Sequence, residues 1–490
     1  MDKQSLTRLQ RQLTGKYVAT NGLFWMAYVC IWGFGAVYLK GKGFSSTETG
    51  IITALGGLIS VVFQPLLAAR MENGGRLSVR QAFMLCLGAA CICDVVLLVC
   101  PAAAALALAC LFLAVMALFQ MNSAVLNSLG MEYVNLGIPV NYGLARGAGS
   151  VCFALLSLAL GFVTERFGVD ALILLSLVFS LCLIGLLATY QSTRKLKEMY
   201  GLGSRVPEKV NSSSPQPEDS SHPIDSTKFD ADSSQKAEAG NVAPTAMPTT
   251  ENSSASTTAT THLSATATPA SEIDSVAARR TREQDASVPS PGMRAMFAAD
   301  RGLLILLLGF FLIFVGHFMN NTYMIDLVGR FGGSDADMGI ATAFAASLEL
   351  PAMILVNFLV KRISSANVLR ISAVSYVMKT VILLGAVNMP VLLLSQLCQF
   401  GAYAFFVPAS VYYINERVPG QYKVTGQSAL GMATMGLGGA VGNFLGGRVQ
   451  DVFGVSGMVV VCVTCTIVGA MFTFAGLGKT TQKIKKKIKK

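Results

Sequence analysis

Two charged residues sit inside long apolar runs, and they are the residues best placed to do chemistry. Glu349 lies about halfway along the run 339–360, and Lys379 about halfway along 367–388. A charge in lipid is costly, so each is expected to face a cavity or a partner. Neighbouring antiparallel helices would bring the two together near mid-membrane as an ion pair. Such a pair either locks two helices or forms a substrate and proton site, and the sequence leaves both readings open. Glu349 has the chemistry to carry a proton. Asp94, within ICDVV, is a second carboxylate in an apolar run. His317 with Asn320 and Asn321, Gln120 with Asn122, and Gln396 with Gln399 offer hydrogen bonds to a polar ligand or to packing partners. Glu132 and Arg146 flank the loop between the fourth and fifth runs, where Arg146 is either a ligand contact or an anchor at the membrane face. The candidate solute-binding set is Arg146, Asn122, His317, Asn320, Lys379 and Gln399. The candidate proton-coupling set is Glu349, Lys379 and Asp94.

Other chemistries have no signal. No GxxxxGK[ST] or comparable phosphate cradle occurs, which argues against an ATP-driven pump in this polypeptide. No Ser–His–Asp arrangement or metal-ligand cluster stands out, so no enzyme, metal or cofactor is expected. All 11 cysteines fall inside apolar runs, where they act as small apolar residues. Cys462 and Cys465 have CxxC spacing, but within an apolar helix.

The elements that must position these residues follow from composition. Apolar residues make up 53% of the chain and charged residues 13%, where a soluble domain carries roughly 25% charged. Mean hydropathy is +0.55. A helix needs about 20 apolar residues to cross a bilayer. Twelve runs qualify: 17–39, 49–69, 82–100, 103–128, 143–164, 170–190, 302–324, 339–360, 367–388, 391–414, 426–447 and 455–477. They must be helices, because lipid cannot satisfy an open backbone and the runs lack barrel alternation. The first run is too long for a cleavable signal peptide and lacks a cleavage pattern.

The chain also repeats itself. GFSSTETGIITAL (43–55) is echoed by GGSDADMGIATAF (332–344), and LGFVTERFGV (160–169) by GGRVQDVFGV (446–455). The offsets are 289 and 286 residues, so order is kept and one half-protein has been duplicated. Two like halves around an axis is how many membrane transporters place a site at mid-membrane. The run 426–447 carries small residues every three or four positions, which lets helices approach closely and either pack or slide.

Basic residues give the orientation. Lys3, Arg8, Arg11, Lys16, Arg70, Arg76, Arg80, Lys361, Arg362, Arg370, Arg417 and Lys423 share one face with the Lys-rich tail 479–490. By the positive-inside rule both termini are cytoplasmic. The net charge of +11 is then mostly a topology signal. The tail suits anionic lipid, and nucleic acid is not an expected partner. Residues 205–295 are rich in Ser, Thr, Ala and Pro, so a disordered cytoplasmic linker is expected. A short surface helix is expected at 191–200.

Twelve spans, a six-plus-six repeat and a long central loop resemble the major facilitator superfamily. That superfamily's loop between spans two and three usually reads G-x-x-x-D-R-x-G-R-R. Here AARMENGGRLSVR (68–80) keeps basic residues but lacks the Asp. NYGLARGAGSVCFALLSLALG (141–161) resembles span five of the lactose-permease-like proton symporters and 3-phenylpropionate-type permeases, which places their sugar-contacting Arg at Arg146. Glu349 stands where these permeases carry a Glu in span eight. Lys379 replaces the Arg of span nine, and NERVPGQYKVTGQ (415–427) is similar to their loop before span eleven. Span ten departs: Cys398 and Gly401 stand in place of the His and Glu used in proton coupling. The sugar-partner Glu of span four has no clean match; Ser128 aligns without gaps, and Glu132 only with a shift. Lactose itself is therefore not supported.

The expected architecture is an all-α integral membrane protein of twelve transmembrane helices in two pseudo-symmetric six-helix bundles. Residues 1–200 form the N-terminal bundle, 201–300 the linker, 301–478 the C-terminal bundle and 479–490 the tail. The resemblance implies alternating access by a secondary transporter. The favoured function is uptake of a small polar solute, a sugar or glycoside, with protons, by a monomer in the cell's inner membrane. Proton-coupled efflux of drugs or metabolites is the alternative, and a non-transporting membrane sensor the third reading.

Overall fold

The computed structural model describes residues 3–72, 77–101, 103–135, 138, 140–191, 296–298, 300–419 and 422–478. Arg76, the linker from 205 to 295, the Lys-rich tail and nearly all of the expected helix at 191–200 lie outside the described residues. No strand occurs among the described residues. In the N-terminal half, span one comprises α1 (Lys3–Tyr28), a π-helical turn at Val29–Gly33 and α2 (Gly35–Gly41), with a bend of 45°. Then come α3 (Ser46–Glu72), α4 (Val79–Val99), α5 (Ala105–Asn135), α6 (Tyr142–Phe167) and α7 (Asp170–Ala188). The C-terminal half opens with α8 (Arg301–Thr322) and the short α9 (Met324–Gly329). It continues with α10 (Asp335–Ser347), α11 (Glu349–Ile363), α12 (Ser365–Leu384), α13 (Met389–Leu397), α14 (Tyr403–Arg417), α15 (Lys423–Gly431) and α16 (Gly439–Gly478).

Among the described residues, nine helical segments are long and apolar enough to cross a bilayer, or ten with the bent span one. The difference from twelve lies where helices break or merge. Span eight divides at Leu348, between α10 and α11. Pro351 has no N–H, and its ring crowds the carbonyl four residues back, on Ser347. Span ten carries a 3₁₀ turn, Cys398–Phe400, but counts as one segment, Met389–Arg417. Spans eleven and twelve join in one segment, Thr425–Leu477, whose Gly454 has φ 71°, a value glycine adopts without strain. The outer faces suit lipid as solvent: Ile92, Leu155 and Met471 are large, apolar and exposed.

The repeated segments meet at one end of the molecule. There α3 crosses α16, and α10 crosses α6. A Cβ on Gly447 would overlap the Ser46 carbonyl, and one on Gly161 the Asp335 carbonyl. Likewise a Cβ on Gly50 would overlap the Asn443 carbonyl, and one on Gly339 would lie 2.6 Å from the Ser157 carbonyl. Each pair is the other's counterpart at the offsets of 289 and 286 residues. Tyr323 ties the crossing together, donating to the carbonyls of Ser46 (3.1 Å) and Asn443 (2.7 Å). Gln450 donates to Ser46 Oγ at 2.9 Å, and Lys40 pairs with Asp326. Hydrogen bonds from Lys40, Ser46, Thr47, Tyr323, Ala336 and Gln450 to the opposite half gather at this end. This is the closed end.

At the opposite end a clip fastens the C-terminal half to itself. The Arg417 guanidinium grips Asp300 through two bonds, Nε to Oδ2 at 2.7 Å and Nη2 to Oδ1 at 2.9 Å, and donates to the Gly476 carbonyl at 2.9 Å. Burial pushes the Asp300 carboxyl up, but Arg417 and the N–H groups of Leu303 and Gly302 outweigh it and hold the group below its usual range. A depressed carboxyl contributes stability above the unfolded value of about 3.9 and loses it as pH falls through the folded value. Asp300→Asn should therefore lower the melting temperature at pH 7, and the gap to wild type should close below about pH 4. Melting curves across that range check this; a gap of constant size would contradict it.

Candidate functional site

Between the two halves lies a cavity of about 400 Å³, within the range of small-molecule sites. Its N-terminal wall is aromatic. Trp25, Tyr28 and Trp32 fall on one face of span one, and Tyr28 and Trp32 stack with centroids 6.0 Å apart. Tyr28 OH donates to Gln120 Oε1 at 2.7 Å, and Trp32 Nε1 to the Met116 carbonyl at 3.0 Å. The Arg146 guanidinium lies 4.2 Å over the Trp25 ring. That indole is pressed against Gly149, where a Cβ would overlap its ring. Gly149→Val should lever Trp25 out from under Arg146. Apparent ligand affinity should then fall about tenfold, the scale of a partly desolvated cation–π contact. Titrating ligand against melting temperature measures it; unchanged affinity would remove the Trp25–Arg146 stack from the site.

The C-terminal wall is polar and is built at the two broken spans. Glu349 is the first residue of α11, just past the break made by Pro351, so its carboxylate sits at a helix N-terminus that favours negative charge. It is half-buried because one side opens on the cavity. It faces Arg146 from the other half and lies beside Gln399 on the cavity wall. Gln399 lies in the 3₁₀ turn of span ten and accepts from Lys379 Nζ at 2.7 Å. Gln399 thus takes the Lys379 ammonium as its partner beside Glu349, and no ion pair joins Glu349 to Lys379 among the described residues. His317 stacks on Tyr403, centroids 5.1 Å apart and planes within 3°, and its Nε2 lies 3.0 Å from Asn321 Nδ2.

The sequence-derived candidates divide cleanly. Arg146, His317, Gln399 and Glu349 line the cavity, with Gln120, Asn321 and Gln396. Lys379 is buried one layer behind, through Gln399. Asn122 and Asn320 are buried and are not among the described lining residues. Helix geometry accounts for this: Gln120 and Ser123 share a face, as do His317 and Asn321, while Asn122 and Asn320 point elsewhere. Asp94 is also off the cavity. It is fully buried between α4 and α7, and accepts from Ser176 Oγ at 3.0 Å. Sequence reasoning missed Trp25, Tyr28, Trp32 and Tyr403. The available signal was that the chain's only two Trp residues are seven apart on one helix, with Tyr28 between.

Residues 21–460 match the MFS_1 like family. The chain belongs to it. This places the protein in the major facilitator superfamily, a multi-pass membrane transporter fold. Solved structures with the same fold include the nucleoside transporter NupG (13% identity, TM-score 0.65, 95% of this chain and 98% of that one). A D-xylose-proton symporter aligns at 12% identity and TM-score 0.60 over 96% and 97% of the two chains. The peptide transporter POT in complex with sulfate aligns at 9% identity and TM-score 0.60 over 97% and 94%. No curated protein matches. These likenesses describe the fold, and all three structures are of transporters rather than enzymes.

Proposed function

We propose that this major facilitator moves a small polar solute across the membrane by alternating access, coupled to protons. The observation that carries this reading is Glu349 at a helix break, facing Arg146 across a cavity to which both halves contribute. A carboxylate that meets the opposite half only when the two approach can trade that contact for a proton. Lys379, held by Gln399, lies within electrostatic reach of Glu349, so a shift of α11 against α12 would alter the charge balance around it. Arg146, His317 and Gln399 are assigned to solute contact. Asn122 and Asn320 act from behind the wall, and Asp94 is the second carboxylate available to a proton.

The walls support a solute class. Stacked rings on one side and amide, imidazole and charged groups on the other suit a ring that bears hydroxyls. A sugar, glycoside or nucleoside has that form, and two of the aligned structures are titled for a nucleoside and for D-xylose with protons. The distribution of basic residues supports an inner-membrane protein with the closed end outside and both termini in the cytoplasm, and on that reading the conformation is inward-facing. Proton-coupled efflux is the second reading, because the Trp25–Tyr28–Trp32 row would also hold an apolar aromatic solute.

Ligand stabilisation tests the assignment. A solute that binds the folded state adds about 2.7 kcal/mol at a hundred times its Kd. A pentose, hexose glycoside or nucleoside should raise the melting temperature of the purified protein, and Arg146→Ala should remove the rise. Stabilisation by lipophilic cations alone would move the assignment to efflux.

A further inference from the structure

The closed end contains a matched pair of contacts that helix packing alone does not require. A helix start leaves four backbone N–H groups to satisfy. At α3, a capping box handles two: the Ser45 N–H donates to Glu48 Oε2 at 2.8 Å, and the Glu48 N–H to Ser45 Oγ at 3.2 Å. The N–H groups of Ser46 and Thr47 instead donate to Asp451, at 3.2 and 2.7 Å, and Asp451 belongs to the opposite half. The start of α10 repeats the scheme. Ser334 and Asp337 form the box, with the Ser334 N–H donating to Asp337 Oδ2 at 2.9 Å. The Ala336 N–H donates to Glu165 Oε1 at 3.0 Å, again from the opposite half. Ser45 and Ser334, Thr47 and Ala336, and Glu48 and Asp337 are counterparts at the offset of 289, and Glu165 and Asp451 at the offset of 286.

We propose that Glu165 and Asp451 are a pair of gate residues: each carboxylate caps a helix of the other half, and together they set the balance between the closed and open states of this end. The proposal rests on the alternating-access reading. Its physical basis is that both caps exist only when the halves meet. A carboxylate at a helix N-terminus gains from the dipole and from the N–H groups it accepts. When the end opens, water takes over both the carboxylates and the freed N–H groups. The helices themselves need not fray, since each keeps its own capping box. The four glycines described above let the helices approach, and the two carboxylates then hold them at that distance. The duplicated segments persist as sequence echoes because each supplies one acceptor and one helix start to the same gate.

The test reads the gate directly. Phe167 and Phe453 are counterparts, one in each half beside the closed end, and each is 73% exposed. Spin labels on an unnatural amino acid at these two positions report the separation of the halves by double electron–electron resonance in lipid nanodiscs. Asp451→Ala should raise the ratio of long to short distances by about twofold to thirtyfold, the size of a lost helix cap. Glu165→Ala should shift it in the same direction, and the double variant should exceed either. Asp451→Asn and Glu165→Gln keep volume and remove charge, so they carry the same comparison if an alanine variant fails to insert. Gly447→Leu is the open reference. Long distances in Gly447→Leu, with wild-type populations in all the carboxylate variants, would overturn the gate assignment and leave alternating access standing. A distribution that moves in no variant would overturn both.

Discussion

Glu349→Gln is expected to abolish uphill accumulation of solute, bringing the inside-to-outside ratio to about one, while exchange of solute across the membrane continues. The Gln variant keeps the shape of the side chain and its contact with Gln399, but it cannot give up a proton to Arg146's field. Exchange requires only that the loaded carrier move both ways, so it survives. Net proton-driven uptake requires that Glu349 cycle between charged and neutral forms. The chain's departures in span ten, Cys398 and Gly401, remove the other residues that the lactose-permease-like pattern would use. Counterflow and gradient-driven uptake, measured on the same vesicles, separate the two functions. Full uphill uptake in the variant would exclude Glu349 as the carrier and move attention to Asp94.

Gly447→Leu is expected to wedge the closed end open. A Cβ at 447 already overlaps the Ser46 carbonyl, a backbone atom on another helix that cannot rotate away. Extra methylenes in a packed interior cost about 1–3 kcal/mol, which corresponds to roughly a tenfold to hundredfold loss of the closed state. Uptake depends on passing through that state and should fall by a similar factor. Ligand binding from the other side should persist, because Gly447 does not line the cavity. Uptake near the wild-type rate would mean that α3 and α16 need not touch during transport. Gly161→Leu should act similarly, by the same geometry at the α6–α10 crossing.

Much of this arrangement was legible in the residues, for identifiable reasons. The repeats at 43–55 and 332–344 marked a duplicated half, and the structure brings both to the closed end with their partners from 160–169 and 446–455. Glu349 and Lys379 stood out because a charge in an apolar run has no innocuous place to go. Their geometry was less legible: Lys379 pairs with Gln399 rather than with Glu349, and a partner supplied by a third span leaves no local pattern. The helix breaks were half visible. Pro351 carried a signal for a break in span eight that the reading of 339–360 as one run did not use, and the 3₁₀ turn that presents Gln399 sits against α12, where a Cβ on Gly401 would meet Ser375. Asn122 and Asn320 show the limit of reading polar residues by position. One residue along a helix turns a side chain by about 100°, enough to move an amide from the cavity wall to the packing behind it. The aromatic wall was missed because Trp25, Tyr28 and Trp32 read as ordinary apolar residues of a membrane span.

The most direct measurement is solute-driven proton movement in proteoliposomes of the purified protein. Pentoses, hexose glycosides and nucleosides would be added in turn to the outside, with no gradient imposed, and external pH recorded. At least one of them is expected to make the outside alkaline as protons enter with the solute, and Glu349→Gln is expected to remove that signal. A solute that raises the melting temperature of the protein, enters the vesicles and moves no protons in either direction would contradict proton coupling through Glu349.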